Sequence, residues 1–144
     1  MTAIRPMRAD DAAEVADLTT QFGYPTDATE ERRRIADIRS RTDDELLVAV
    51  DAEDRPIGWI HVARLASLAA GDGAVIHGLV VAESARSGGI GTELVAAAEA
   101  WARSRGAPEM IVRSRSTRER THRFYERLGY AERKRSHVFG KPIV

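Results

Sequence analysis

Residues 79–92 read Leu79-Val80-Val81-Ala82-Glu83-Ser84-Ala85-Arg86-Ser87-Gly88-Gly89-Ile90-Gly91-Thr92. An apolar strand ends here, a polar turn follows, and glycines lead directly into a helix. That helix carries Ile90, Leu94, Val95, Ala98 and Trp101 on one side and stops at Gly106. Glycine lets the backbone take positive φ and come close to a ligand. The first N–H groups of the helix have no internal partner and sit at the positive end of its dipole. A strand–glycine turn–helix of this kind is a seat for phosphate.

Two phosphate motifs are excluded. A Walker A loop needs Gly-Lys-Ser/Thr, whereas Gly91 is followed by Thr92-Glu93. A dinucleotide fingerprint needs glycine or alanine three positions after Gly91, where Leu94 stands. A lone Gly-x-Gly would simply connect a strand to a helix. The pattern here is longer: Arg86-x-x-Gly89-x-Gly91, with Leu79-x-Val81 before it and an Ala-rich helix after it.

Working outward, residues 4–7 form a short strand, and Asp10 or Asp11 caps a helix bearing Val15, Leu18 and Phe22. Gly23-Tyr24-Pro25 ends it, and Thr29-Glu30-Glu31-Arg32 opens a second helix with Ile35 and Ile38 on its apolar face. Residues 46–50 and 56–62 read as an antiparallel hairpin. A Gly/Ala-rich loop at 69–73 leads to a strand at 74–81, then come the helix at 89–105, a strand at 109–113 and a helix at 118–128. Residues 130–144 are expected to add one or two strands. Strand–helix alternation in the second half implies parallel neighbours there, after an antiparallel meander.

Composition narrows the class. The 144 residues are 43% hydrophobic and 31% charged, as in one ordinary globular domain. Cysteine is absent, which removes disulfides, thiolate metal sites and cysteine nucleophiles and fits a reducing cytoplasm. No apolar run approaches a membrane span, and residues 1–11 hold no signal-peptide h-region. His61, His77, His122 and His137 are scattered without metal-ligand spacing, so no metal is expected. Net charge is zero, which argues against nucleic acid as the main partner. That zero conceals a split: residues 1–81 hold 9 basic and 15 acidic side chains, residues 82–144 hold 13 and 7. Either surface helices simply differ in charge, or the second half meets an anion and the first a cation.

The Arg86-x-x-Gly89-x-Gly91 stretch resembles the coenzyme A signature of the GNAT superfamily of acetyl-CoA-dependent N-acetyltransferases. A second signature of that superfamily, Phe-Tyr-x-x-x-Gly-Phe/Tyr, is matched by Phe124-Tyr125-Glu126-Arg127-Leu128-Gly129-Tyr130. Element order agrees over the whole chain, and the motifs cover residues 75–130. The resemblance implies one N-acetyltransferase domain over residues 1–144. Its α/β fold would be a twisted mixed sheet of about six to seven strands flanked by about four helices. The strands at 74–81 and 109–113 would splay apart.

It also implies acetyl-CoA as acyl donor, coenzyme A as product, and a primary amine as acceptor. The amine would belong to a small cationic metabolite or aminosugar; protein N-terminal or lysine acetylation, and a non-catalytic acyl-CoA sensor, are the alternatives. The backbone of Leu79, Val80 and Val81 would hold the pantetheine arm. Arg86, Ser87, Gly88, Gly89, Ile90, Gly91 and Thr92 would hold the pyrophosphate. Tyr125 matches the tyrosine that protonates the leaving sulfur; a half-buried packing aromatic is the plain alternative.

His77 stands where relatives often carry a glutamate base, and neutral imidazole suits proton removal near pH 7. A histidine packed or hydrogen-bonded in the sheet, or deprotonation relayed by water, are the alternatives. Two positions depart from the pattern. Arg118 replaces an asparagine that touches the cofactor arm in many relatives, and either binds a coenzyme A phosphate or faces solvent. Arg113 replaces a glutamate that some relatives use as base, so that mechanism does not carry over. Tyr24 falls in the region that lines acceptor pockets, or is a surface aromatic on a turn. The expected partners are a small-molecule amine, with room for a homodimer, and neither nucleic acid nor a membrane.

Overall fold

The computed structural model describes residues 2–86, 88–114 and 118–144. Two compact units form, residues 1–112 and 113–144. The first holds strands β1 (Ala3–Pro6), β2 (Asp44–Val50), β3 (Pro56–Ser67), β4 (Gly71–Val81) and β5 (Met110–Val112). It also holds helices α1 (Ala12–Gln21), α2 (Ala28–Arg39) and α3 (Ile90–Ser104); α4 (Glu119–Arg127) belongs to the second.

The strands lie in the order β1-β2-β3-β4-β5, antiparallel from β1 to β4 and parallel between β4 and β5. The parallel pair is bridged by α3, as strand–helix alternation requires. Period-two alternation sends Leu46, Val48 and Val50 to one face of the sheet, where they meet Met7, Ala12, Val15 and Ile35 in a buried cluster. Trp59 and Ile38 pack against that cluster. On the other face the bare Gly58 lets Leu94 and Ile90 of α3 lie close against β3.

Several details differ from the sequence reading. Five strands are present among the described residues, rather than six to seven. Residues 130–144 contain none: the run Glu132-Arg133-Lys134-Arg135 has no alternating apolar face to bury. The loop expected at 69–73 is instead a tight turn at Leu68, Ala69 and Ala70, and β3 and β4 run on past it to pair Ser67 with Gly71. The Ser67 hydroxyl accepts the Ala70 N–H (2.8 Å) and closes this turn.

The helix starts also shift. Asp11 does not cap α1 with its carboxylate; it turns back to accept the Arg8 N–H at 2.7 Å and the Arg5 guanidinium through two bonds of 2.9 Å. α2 begins two residues before Glu30, because Asp27 Oδ1 accepts the Glu30 N–H (2.8 Å) and makes Asp27 the cap.

Candidate active site

β4 pairs with β3 as far as Val81 on one edge. On its other edge it pairs with β5 only at Ala74, Val75 and Ile76. Beyond Ile76 no strand pairs with that edge among the described residues, and the Val81 carbonyl at its end accepts from a side chain instead, Arg86 Nε. Val80 is buried, while Leu79 and Val81 are half-buried.

After Val81 the chain makes one 3-10 turn, Glu83–Ala85. Ala85 N–H donates to Ala82 O (2.9 Å), and the exposed Arg86 donates through Nε to Val81 O (3.3 Å). Ser87 lies outside the described residues. Gly88 and Gly89 are exposed. Gly89 has φ +82°, and a Cβ built there would touch nothing within 4 Å. Glycine is therefore demanded by backbone conformation, and the space beside it is open.

α3 begins immediately after. Glu93 N–H donates to Gly89 O (3.0 Å), so the N–H groups of Ile90, Gly91 and Thr92 precede the first intrahelical bond. Gly89 has no side chain to cap them. Ile90 is buried and anchors the helix start, Gly91 is half-buried, and Thr92 is exposed. The glycine turn and the strand edge are thus consecutive in the chain. An extended, partly apolar arm ending in a diphosphate matches that pairing.

His77 lies on β4 at the first position past the β5 pairing and is exposed. Its ring is 4.8 Å from that of His61 on β3, tilted by 47°. His61 Nε2 is 2.7 Å from Asp44 Oδ2 on β2. Neither Asp44 nor His61 stands out in the sequence, yet a signal was present: a turn centred on Ala69 sets His61 and His77 at equal distances on either side. The register confirms Val62 opposite Ile76, and a bulge then sets His61 opposite Gly78, leaving His77 as the extra residue beside it.

Tyr24 follows α1, 44% exposed, with its ring 5.9 Å from Phe22. In the second unit, Tyr125 is buried in α4. Its ring meets Phe124 and Tyr130 edge-on, at 5.0 and 5.6 Å. Burial pushes its phenol up to about 12, so the hydroxyl keeps its proton throughout the neutral range. Arg118 is the half-buried residue at the start of α4, and its carbonyl accepts the His122 N–H (3.1 Å). Arg113 is exposed.

A strand edge that runs into a glycine-started helix can seat an extended ligand with an anionic end. A sequence model of the Acetyltransferase (GNAT) family matches residues 12–130, and the chain belongs to that family. It is 26% identical to an aminoglycoside N(6')-acetyltransferase type 1 of Klebsiella aerogenes, over 97% of this chain and 96% of that one. The aminoglycoside 6'-N-acetyltransferase AAC(6')-Ih of Acinetobacter baumannii superposes with a TM-score of 0.85 at 20% identity, covering 100% of both chains. AAC(6')-Iy, solved with a bisubstrate analogue of coenzyme A and acetylneamine, superposes at 0.84 with 18% identity over 99% of each.

Proposed function

We propose that this protein transfers acetyl from acetyl-CoA to a primary amine of a small cationic molecule, with aminosugars as the leading class. Residues 1–144 would act as one catalytic domain in the cytoplasm. The observation that carries the reading is the edge of β4, which parts from β5 at Ile76 and runs into the open glycine turn at Gly89. The residues present fit the cofactor: a β4 edge with no second strand beyond Ile76 among the described residues for an amide-bearing arm, helix N–H groups without intrahelical partners for a diphosphate, and Arg86 beside them in the chain.

Acetyl-CoA, when bound, supplies an activated acetyl thioester. Backbone groups of Leu79, Val80 and Val81 orient the arm. The turn from Arg86 to Thr92, including Ser87, Gly88, Ile90 and Gly91, neutralises the pyrophosphate, and Arg118 offers a further cation. His77 takes a proton from the acceptor ammonium, since the amine must be neutral to attack. Tyr125 gives the proton of its hydroxyl to the departing sulfur. Tyr24 contacts the acceptor. Arg113 is a cation and takes no part as a base.

The name of the Klebsiella relative supports an amino group on a sugar as the acceptor. Free-thiol release measured with acetyl-CoA against a panel of aminosugars, polyamines, amino acids and peptides tests the proposal. Turnover on aminosugars or polyamines is expected. Turnover on peptides alone would move the acceptor to protein amines, and acetyl-CoA binding without thiol release on any amine would make the chain a sensor.

A further inference from the structure

We propose that Asp44, His61 and His77 form a binding site for one divalent transition-metal ion of the zinc class. These residues come from three neighbouring strands, β2, β3 and β4, and one ligand atom from each lies within 4.8 Å of the other two. Two imidazoles and one carboxylate are the donor set that zinc, cobalt and nickel share. Tetrahedral bonds of about 2.0–2.1 Å place ligand atoms about 3.3 Å apart. The His61–Asp44 pair already stands closer than this, at 2.7 Å, and His77 offers a ligand atom within 4.8 Å of both.

The positions are built rather than incidental. The side chains of Asp44 and His61 are only 11% and 15% exposed, so their orientations are set by packing. The bulge at His61 and Val62 places His77 beside His61 instead of beyond it. His77 is exposed, which leaves the remaining coordination position open to water or to an added ligand, as at a catalytic rather than a structural site. Arg41 Nη1 is 3.8 Å from the same Asp44 oxygen, but that guanidinium already bonds Asp37 through Nη2 at 2.9 Å and can leave Asp44 to the ion.

The site does not depend on the acetyltransferase reading. One consequence does: a metal held by His77 occupies the lone pair that would accept the substrate proton, so the loaded protein should be inhibited and chelator should restore it.

The test is calorimetric titration of the full chain, free of any polyhistidine tag, with zinc chloride. Absorption spectra with cobalt(II) run alongside. One ion per chain is expected, with affinity at least tenfold weaker in His61→Gln, His77→Gln and Asp44→Asn, and with cobalt d–d bands that vanish in the two histidine variants. His77→Gln changes an exposed side chain, so it remains informative should His61→Gln fold poorly. Zinc binding no tighter in the parent than in His77→Gln, or no saturable binding in the parent, overturns the site. Tight binding that leaves amine acetylation unaffected would keep the site and remove His77 as base.

Discussion

Tyr125 is held between Phe124 and Tyr130, both edge-on, in a setting dry enough to push its phenol up to about 12. A neutral hydroxyl in such a place can donate a proton but does not ionise near neutrality. Tyr125→Phe keeps both ring contacts and removes the donor. Turnover should fall by about 10²–10⁴-fold, with acetyl-CoA affinity unchanged by calorimetry. Turnover within twofold of the parent at saturating substrates would make Tyr125 a packing residue alone. At Gly78 the requirement is different, because an added Cβ would sit 2.8 Å from the Trp59 ring. That indole is in turn tied to Thr19 through Nε1 at 3.2 Å. Trp59 thus roofs the strand next to His77.

At the scale of elements, the start of α3 carries the cofactor argument. Gly91→Val places a branched side chain among the first helical N–H groups. Acetyl-CoA affinity should fall at least tenfold, about 1.4 kcal/mol, with the fold intact by circular dichroism. Unchanged affinity would place the pyrophosphate elsewhere. The junction of β1 and α1 is a second element-scale device. Burial alone would raise the Asp11 carboxyl, but the Arg5 guanidinium and the Arg8 N–H bond it and hold it below its ordinary value. A carboxylate depressed in the folded state contributes stability above its unfolded pKa and loses it as pH falls through the folded one. Asp11→Asn should therefore cost about 1.5–3 kcal/mol at pH 7. In urea unfolding, that difference from the parent should shrink below about pH 4. A difference constant from pH 7 to pH 3 would show that charge plays no part in the junction.

For the whole molecule, the proposed function gives the charge split between residues 1–81 and 82–144 a testable consequence for acceptor choice. The acidic excess does not come from α2, whose four arginines outnumber its three acidic residues; Arg32, Arg33 and Arg34 pair with Asp10, Glu30 and Glu31. It comes from α1, with Glu14 and Asp17, and from the strands and turns around Asp43, Asp51 and Asp72. A net negative first half attracts polycationic amines through solvent, and salt screens that attraction. For aminosugars or polyamines kcat/KM should fall as ionic strength rises from about 0.01 to 0.15 M, where the Debye length drops from about 30 to 8 Å. Neutral amines should show little change. Amino acids outperforming polyamines in the same screen would show that the split has no role in acceptor choice.

The sequence alone determined the element order, the antiparallel-then-parallel sheet and the strand–glycine–helix turn, because these rest on local periodicity, turn chemistry and short motifs. Gly89 is the plainest case: its left-handed φ is a local demand that a glycine in the sequence already announces. Only the tertiary structure decided what depends on register. Strand ends are set by which neighbour can pair, so β3 and β4 outrun their apolar cores while residues 130–144 form no strand. The joining of Asp44, His61 and His77 follows from two pairings and one bulge. A turn centred on Ala69 brings His61 and His77 near each other, but the bulge that sets them side by side and the pairing that adds Asp44 are decided between strands.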